Sequence, residues 1–107
     1  MKSLTLQEQH ILLSVYRLKN KAYLATIRDH ILENTGKDLS IGTVYVPLDR
    51  LRKMGYLRTE VSGPSPKVGG RSIKYYFITD EGLKALHEMK KINDTMWMGF
   101  SEEAIVK

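Results

Sequence analysis

The apolar positions of this chain recur at helical spacing through its first half and then change period. In "TLQEQHILLSVYRL" the residues Leu6, Ile11 with Leu12, Val15 and Leu18 form a stripe, and Thr5 followed three residues later by Glu8 has the form of a capping box. These features predict a first helix over residues 5–18. "KNK" breaks the pattern, and "AYLATIRDHILENTG" resumes it with Leu24, Ile27, Ile31 and Leu32 on one side and Gly36 as terminator. A third helix is expected from Ser40 as N-cap, with Ile41, Val44, Leu48 and Leu51 spaced three, four and three apart before Gly55 stops it. Each stripe is first of all a core face. Pro47 falls inside the third helix, where it removes one backbone donor and presses its ring against the carbonyl of Thr43. A kink there would lift the first turn off the core.

Beyond Gly55 the period falls to two. Apolar and polar residues alternate from Tyr56 to Ser62 and, less cleanly, from Ile73 to Ile78, with the glycine- and proline-rich "GPSPKVGGR" between them. This predicts two antiparallel strands joined by a mobile tip. Thr79 then caps a last helix, "DEGLKALHEMKKINDTMWMGF", with acidic residues in its first turn and lysines further on. The order helix, helix, helix, strand, strand, helix is the layout of a winged helix-turn-helix: mainly α, with one small β-hairpin. On that layout residues 1–78 form a DNA-binding domain, and residues 79–107 a C-terminal dimerisation helix and tail. Winged-helix folds also serve as protein-docking modules, so a protein-interaction module without specific DNA binding is the alternative.

Length and composition narrow the field. A chain of 107 residues suits one domain with one core, and a hydrophobic content of 42% argues against disorder. No apolar run approaches the roughly 18–20 residues of a membrane span, so no membrane partner is expected. The stretch "MKSLTLQEQH" carries no export signal, and the absence of cysteine leaves neither a disulfide frame nor a thiolate metal site. A cytoplasmic protein is expected. His10, His30 and His87 fall on three different helices, and there is no glycine-rich phosphate loop, so neither an enzymatic activity nor a cofactor has an anchor.

Charge sharpens this reading once it is located. Residues 40–77 hold Arg50, Arg52, Lys53, Arg58, Lys67, Arg71 and Lys74 against only Asp49 and Glu60, which accounts for the whole net charge of +5. Such a concentration is the expected footprint for a polyanion, here double-stranded DNA. Opposite the apolar stripe of the third helix lie Ser40, Thr43, Val46, Pro47, Arg50 and Lys53, with Tyr45 and Arg52 at the flanks. The set offers hydroxyls, a methyl contact and cations at helical spacing. Thr43, Val46 and Arg50 are candidates to read bases, and Tyr45 to bond a phosphate. In the wing, Lys67, Arg71 and Lys74 are candidate phosphate contacts, Gly69 and Gly70 letting the backbone turn closely enough to deliver Arg71 and Lys74. A solvated helix face and a solvated hairpin end are the ordinary alternatives. Tyr75 and Tyr76 should point to opposite faces of one strand, a poor stacking platform for RNA.

The last helix has an apolar surface of its own. Ala85, Met89, Ile92 and Met96 are spaced four, three and four apart, and Leu83, Leu86, Trp97 and Phe100 widen the surface beyond what one small core covers. A homodimer seam is expected here, the alternative being a helix folded back on its own domain. Methionines at such a seam can repack around a small apolar effector near Trp97.

"IGTVYVPLDRLRKMGYL" followed by "GGRSIKYYFITDEGLKAL" resembles the PadR family of bacterial transcriptional regulators. The resemblance is carried by Gly42, Val44, Tyr45, Leu48, Leu51, Gly55, Gly70, Arg71, Lys74, Tyr75, Tyr76, Thr79 and Gly82, and it covers nearly the whole chain. It implies a homodimeric DNA-binding repressor with no enzymatic step, joined mainly through its C-terminal helix. Two departures stand out. Val46 occupies the place where many members have proline, with Pro47 following it, and the second helix begins "YLATI" where members commonly read Tyr-Gly-Tyr-Glu-Ile.

Overall fold

The computed structural model of the chain describes residues 4–63 and 72–101. Its elements follow the expected order: α1 (Leu6–Leu18), a short 3₁₀ turn (Lys19–Lys21), α2 (Leu24–Thr35), α3 (Ile41–Lys53), β1 (Leu57–Val61), β2 (Lys74–Ile78) and α4 (Asp80–Trp97). The two strands pair antiparallel, in a register running from Leu57 opposite Ile78 to Val61 opposite Lys74. Most of the glycine- and proline-rich tip, residues 64–71, lies outside the described residues.

Local chemistry explains the helix ends. The Thr5 hydroxyl accepts from the Glu8 N–H at 3.1 Å while the Glu8 carboxylate accepts from the Thr5 N–H at 2.9 Å, a complete capping box. Ser40 and Thr79 cap α3 and α4 through the N–H groups of Thr43 and Gly82. Gly36 closes α2 at φ +76°, a left-handed backbone that glycine adopts without steric cost.

One core joins all the elements. Ile11, Leu12 and Val15 of α1 meet Ile27 and Ile31 of α2, Val44, Leu48 and Leu51 of α3, and Leu57 and Tyr76 of the hairpin. Ala85 and Met89 complete it from α4. The Tyr76 N–H donates to the Ala22 carbonyl at 2.8 Å, fastening β2 to the α1–α2 connection. Burial pushes the Tyr76 hydroxyl pKa up. Tyr75, one residue earlier, makes an edge contact with Tyr23 at 5.5 Å between ring centres.

Three residues expected in the stripes are exposed: Leu6, Leu32 and Ile41. Leu6 precedes Ile11 by five positions, which turns it about 140° away from that residue. Leu4, before the cap, is buried in the core instead. Leu32 sits a further ~100° round from Ile31, beyond the edge of the α2 stripe. Ile41 belongs to the first turn of α3 and lines a surface groove with Tyr45, Ser72 and Lys74. The last helix was expected to run on to Phe100 but stops at Trp97, with Gly99 at φ +84°.

A polar bond crosses the α1–α2 contact, where Ser14 Oγ lies 2.8 Å from His30 Nδ1. Burial disfavours the imidazolium, and the Arg17 charge opposes it further, so the His30 pKa falls below its ordinary 6.5. A lowered folded-state value means that the unfolded chain takes up the proton more readily. The associated stability is therefore present above pH 6.5 and is lost as the pH falls toward the lowered value. The thermal midpoint is expected to drop on acidification through this range, and a His30→Asn chain should lose that part of the pH dependence. An identical pH profile for both chains would exclude His30 as its source.

Candidate nucleic-acid interface

The exposed face of α3 is framed on both sides. On one flank Tyr45 meets the wing, with Lys74 Nζ 5.8 Å from the centre of its ring. On the other flank Thr43 and Arg50 meet the first turn of α1. Val46, Asp49 and Lys53 fall between these flanks at ~100° per residue. Ser40, Thr43, Tyr45, Val46, Arg50, Lys53 and Lys74 are all exposed, so the structure brings the described candidates to one side of the molecule. Lys67 and Arg71 lie outside the described residues.

Several of these side chains are already engaged. Ser40 Oγ lies 2.6 Å from Thr43 Oγ1 and also accepts from the Thr43 N–H. Asp49 accepts from Arg52 at 3.0 Å and pairs with Lys53 at 3.2 Å. Hydrogen bonds from Arg52 first, then Lys53, hold the Asp49 carboxyl below its ordinary pKa. Arg58 pairs with Glu60 and lies over the Phe77 ring at 4.5 Å.

Arg50, a cation of the polar face, has a partner on another helix. Its guanidinium pairs with Glu8, whose side chain is only 4% exposed while that of Arg50 is 52% exposed. Both Glu8 oxygens are thus used, one by the Thr5 N–H and the other by Arg50. A guanidinium has five donors, so the pair fixes the direction of Arg50 and leaves donors on its solvent side. Next to it, Gln7 Nε2 donates to the Thr43 carbonyl at 3.2 Å. In the sequence Glu8 stands out only as a cap and Gln7 not at all, because nothing local signals a partner 42 or 36 residues away.

The apolar surface of α4 divides into two parts. Ala85 and Met89 are buried in the chain's own core, at 1% and 7% exposure, so these two expected seam residues are corrected to core residues. They face inward because the first half of α4 packs on α1 and the hairpin. Ile92, Met96 and Trp97 are exposed at 47%, 78% and 64%, followed by exposed Met98 and Phe100. Trp97 and Phe100 pack edge to face at 5.1 Å. Leu83 and Leu86, half-buried, line a groove of about 430 Å³ with Leu13 and Tyr16 of α1.

The profile of the transcriptional regulator PadR-like family matches residues 12–88. The chain belongs to that family. Solved structures agree with the assignment. A PadR-like transcriptional regulator from Bacillus cereus superposes with a TM-score of 0.74 at 23% identity, covering 94% of this chain and 92% of that one. A PadR family transcription regulator from Clostridium difficile gives 0.70 at 26% identity, over 86% and 90% of the two chains. F93 from STIV, described as a winged-helix DNA-binding protein, gives 0.71 at 23% identity over 94% and 100%. A search among curated proteins found no match.

Within this PadR-like chain the motif residues acquire distinct tasks. Val44, Leu48, Leu51 and Tyr76 are core, while Tyr45 and Lys74 join α3 to β2. Thr79 ties the start of α4 to the α3–β1 turn, its N–H donating to the Tyr56 carbonyl at 3.0 Å and its hydroxyl to the Gly55 carbonyl at 2.6 Å. No helix among the described residues is long and apolar enough to cross a membrane.

Proposed function

We propose that this PadR-family chain is a cytoplasmic repressor that binds an inverted-repeat DNA operator as a homodimer, without an enzymatic step. The observation that carries the reading is the exposed face of α3, framed by α1 and the wing and placed beside the basic hairpin. In this reading Thr43, Val46 and the solvent side of Arg50 meet base edges in the major groove, while Tyr45, Ser40 and Lys53 contact the backbone. Lys74, with Lys67 and Arg71, reaches phosphates from the wing.

The homodimer is supported by the second half of α4, where Ile92, Met96 and Trp97 stand exposed, Trp97 with Phe100 against its edge. A two-fold pairing there would set the spacing of two recognition helices, as an inverted repeat requires. A small apolar effector would enter on the same side, against the methionines and Trp97 or in the groove between α1 and α4.

The test is a random-site selection followed by a salt titration. Wild-type protein should enrich a short inverted repeat, and Lys74→Ala should weaken binding to specific and random duplexes alike, reducing the salt slope by about one unit. A Lys74→Ala chain that loses sequence preference at unchanged salt slope would remove Lys74 from the phosphate contacts. A wild-type protein that enriches no sequence would favour a protein-docking role.

A further inference from the structure

Pro47 lies in the seventh position of α3 and leaves a defect in the recognition helix. In a regular helix the carbonyl of residue i accepts from the N–H of residue i+4. Residue i+4 from Thr43 is Pro47, which has no N–H to give and whose ring crowds that same carbonyl. The Thr43 carbonyl is therefore deprived of its ordinary partner. It is to this carbonyl that Gln7 Nε2 donates, at 3.2 Å, from the first turn of α1. Only the amide nitrogen of glutamine can serve here, because a carbonyl oxygen accepts and does not donate. The adjacent residue, Glu8, holds Arg50 two turns further along the same helix.

We propose that Gln7 is a positioning residue for DNA recognition: it supplies the hydrogen bond that Pro47 removes from α3 and so fixes the turn that carries Thr43 and Val46. The proposal rests on the reading of α3 as the DNA-reading helix. Gln7 touches the helix at its backbone, and the Thr43 side chain, paired with Ser40, and Val46 both remain exposed. A proline in this position frees a carbonyl whose satisfaction depends on another helix, so the orientation of the reading turn is set from α1 as well as by α3 itself. Losing the Gln7 donor should loosen that orientation without altering the charge that attracts DNA.

A double-mutant cycle separates this role from general packing. Gln7→Ala and the similarly sized, uncharged Gln7→Met both remove the donor. Each should weaken binding to the selected site by roughly three- to tenfold, the scale of one hydrogen bond. Random-duplex binding and the salt slope should stay at wild-type values. Pro47→Ala restores an N–H at position 47, so in that background both Gln7 substitutions should change site affinity by less than about twofold. The same cycle read by denaturant unfolding of the DNA-free protein should show the same dependence on Pro47. Equal losses in the two backgrounds, or no loss in either, would overturn the proposal. A wild-type chain that enriches no sequence would overturn the DNA reading instead. The unfolding cycle would then decide the brace alone, with coupling between Gln7 and Pro47 supporting it and additivity overturning it.

Discussion

Gly82→Ala should destabilise the whole domain, although alanine is the better helix former. A Cβ on residue 82 would stand 2.3 Å from the Tyr56 carbonyl oxygen and 2.7 Å from Ile78 Cγ1. The first obstacle is backbone. It is held in place by the Thr79 N–H at 3.0 Å, and Thr79 also bonds Gly55 and caps Gly82. The methyl group could be accommodated only by moving α4 off the hairpin. Overpacking of this kind costs about 1–3 kcal/mol or more, and a backbone obstacle favours the upper end, whereas exchanging glycine for alanine in a helix returns only about 1 kcal/mol. A net loss of about 2 kcal/mol corresponds to a fall of roughly 10 °C in the thermal midpoint for a domain of this size. Gly63→Ala is the control, since nothing lies within 4 Å of a Cβ there. Equal melting of the Gly82→Ala and wild-type chains would show that α4 can shift without cost.

The largest functional effect is expected from paired charges on the exposed half of α4. Ile92→Glu with Met96→Glu places two carboxylates one turn apart on the proposed seam. Ile92 and Met96 are exposed in the single chain, so the fold itself should change by only about 0.5 kcal/mol. At a dimer seam the same carboxylates would be buried without partners, a cost no apolar contact offsets. Light scattering should report a monomer, and binding to the inverted repeat should fall toward the non-specific level, on the order of a thousandfold or more. Random-duplex binding per chain should change far less. Met89 is unsuited to this test because it is 7% exposed within the chain's own core, and a glutamate there would unfold the monomer before it could report on a dimer. A doubly substituted chain that remains dimeric would place the seam elsewhere, with the α1–α4 groove as the next surface to probe.

The element order, the three helix caps and the change of period at Gly55 were legible in the sequence because each depends on residues within about one turn of one another. Thr5 and Glu8 cap each other, Gly36 takes the left-handed backbone that ends α2, and alternating residues pair in the hairpin. The polar face of α3 was legible for the same reason, since helical spacing alone sets which side chains oppose Val44, Leu48 and Leu51. The tertiary structure decided what those faces meet. It buried Ala85 and Met89 while leaving Ile92 and Met96 outside, although all four follow one stripe, because beyond Met89 the contact of α4 with the body of the domain thins to an edge bond from Asn93 to Gln9. It joined Arg50 to Glu8 and the Thr43 carbonyl to Gln7 across 42 and 36 residues of chain. It also gave Gly82 its reason, a backbone approach to Tyr56 that leaves no room for a side chain. Periodicity states that a face exists, and only the packing of distant elements determines which neighbour occupies it.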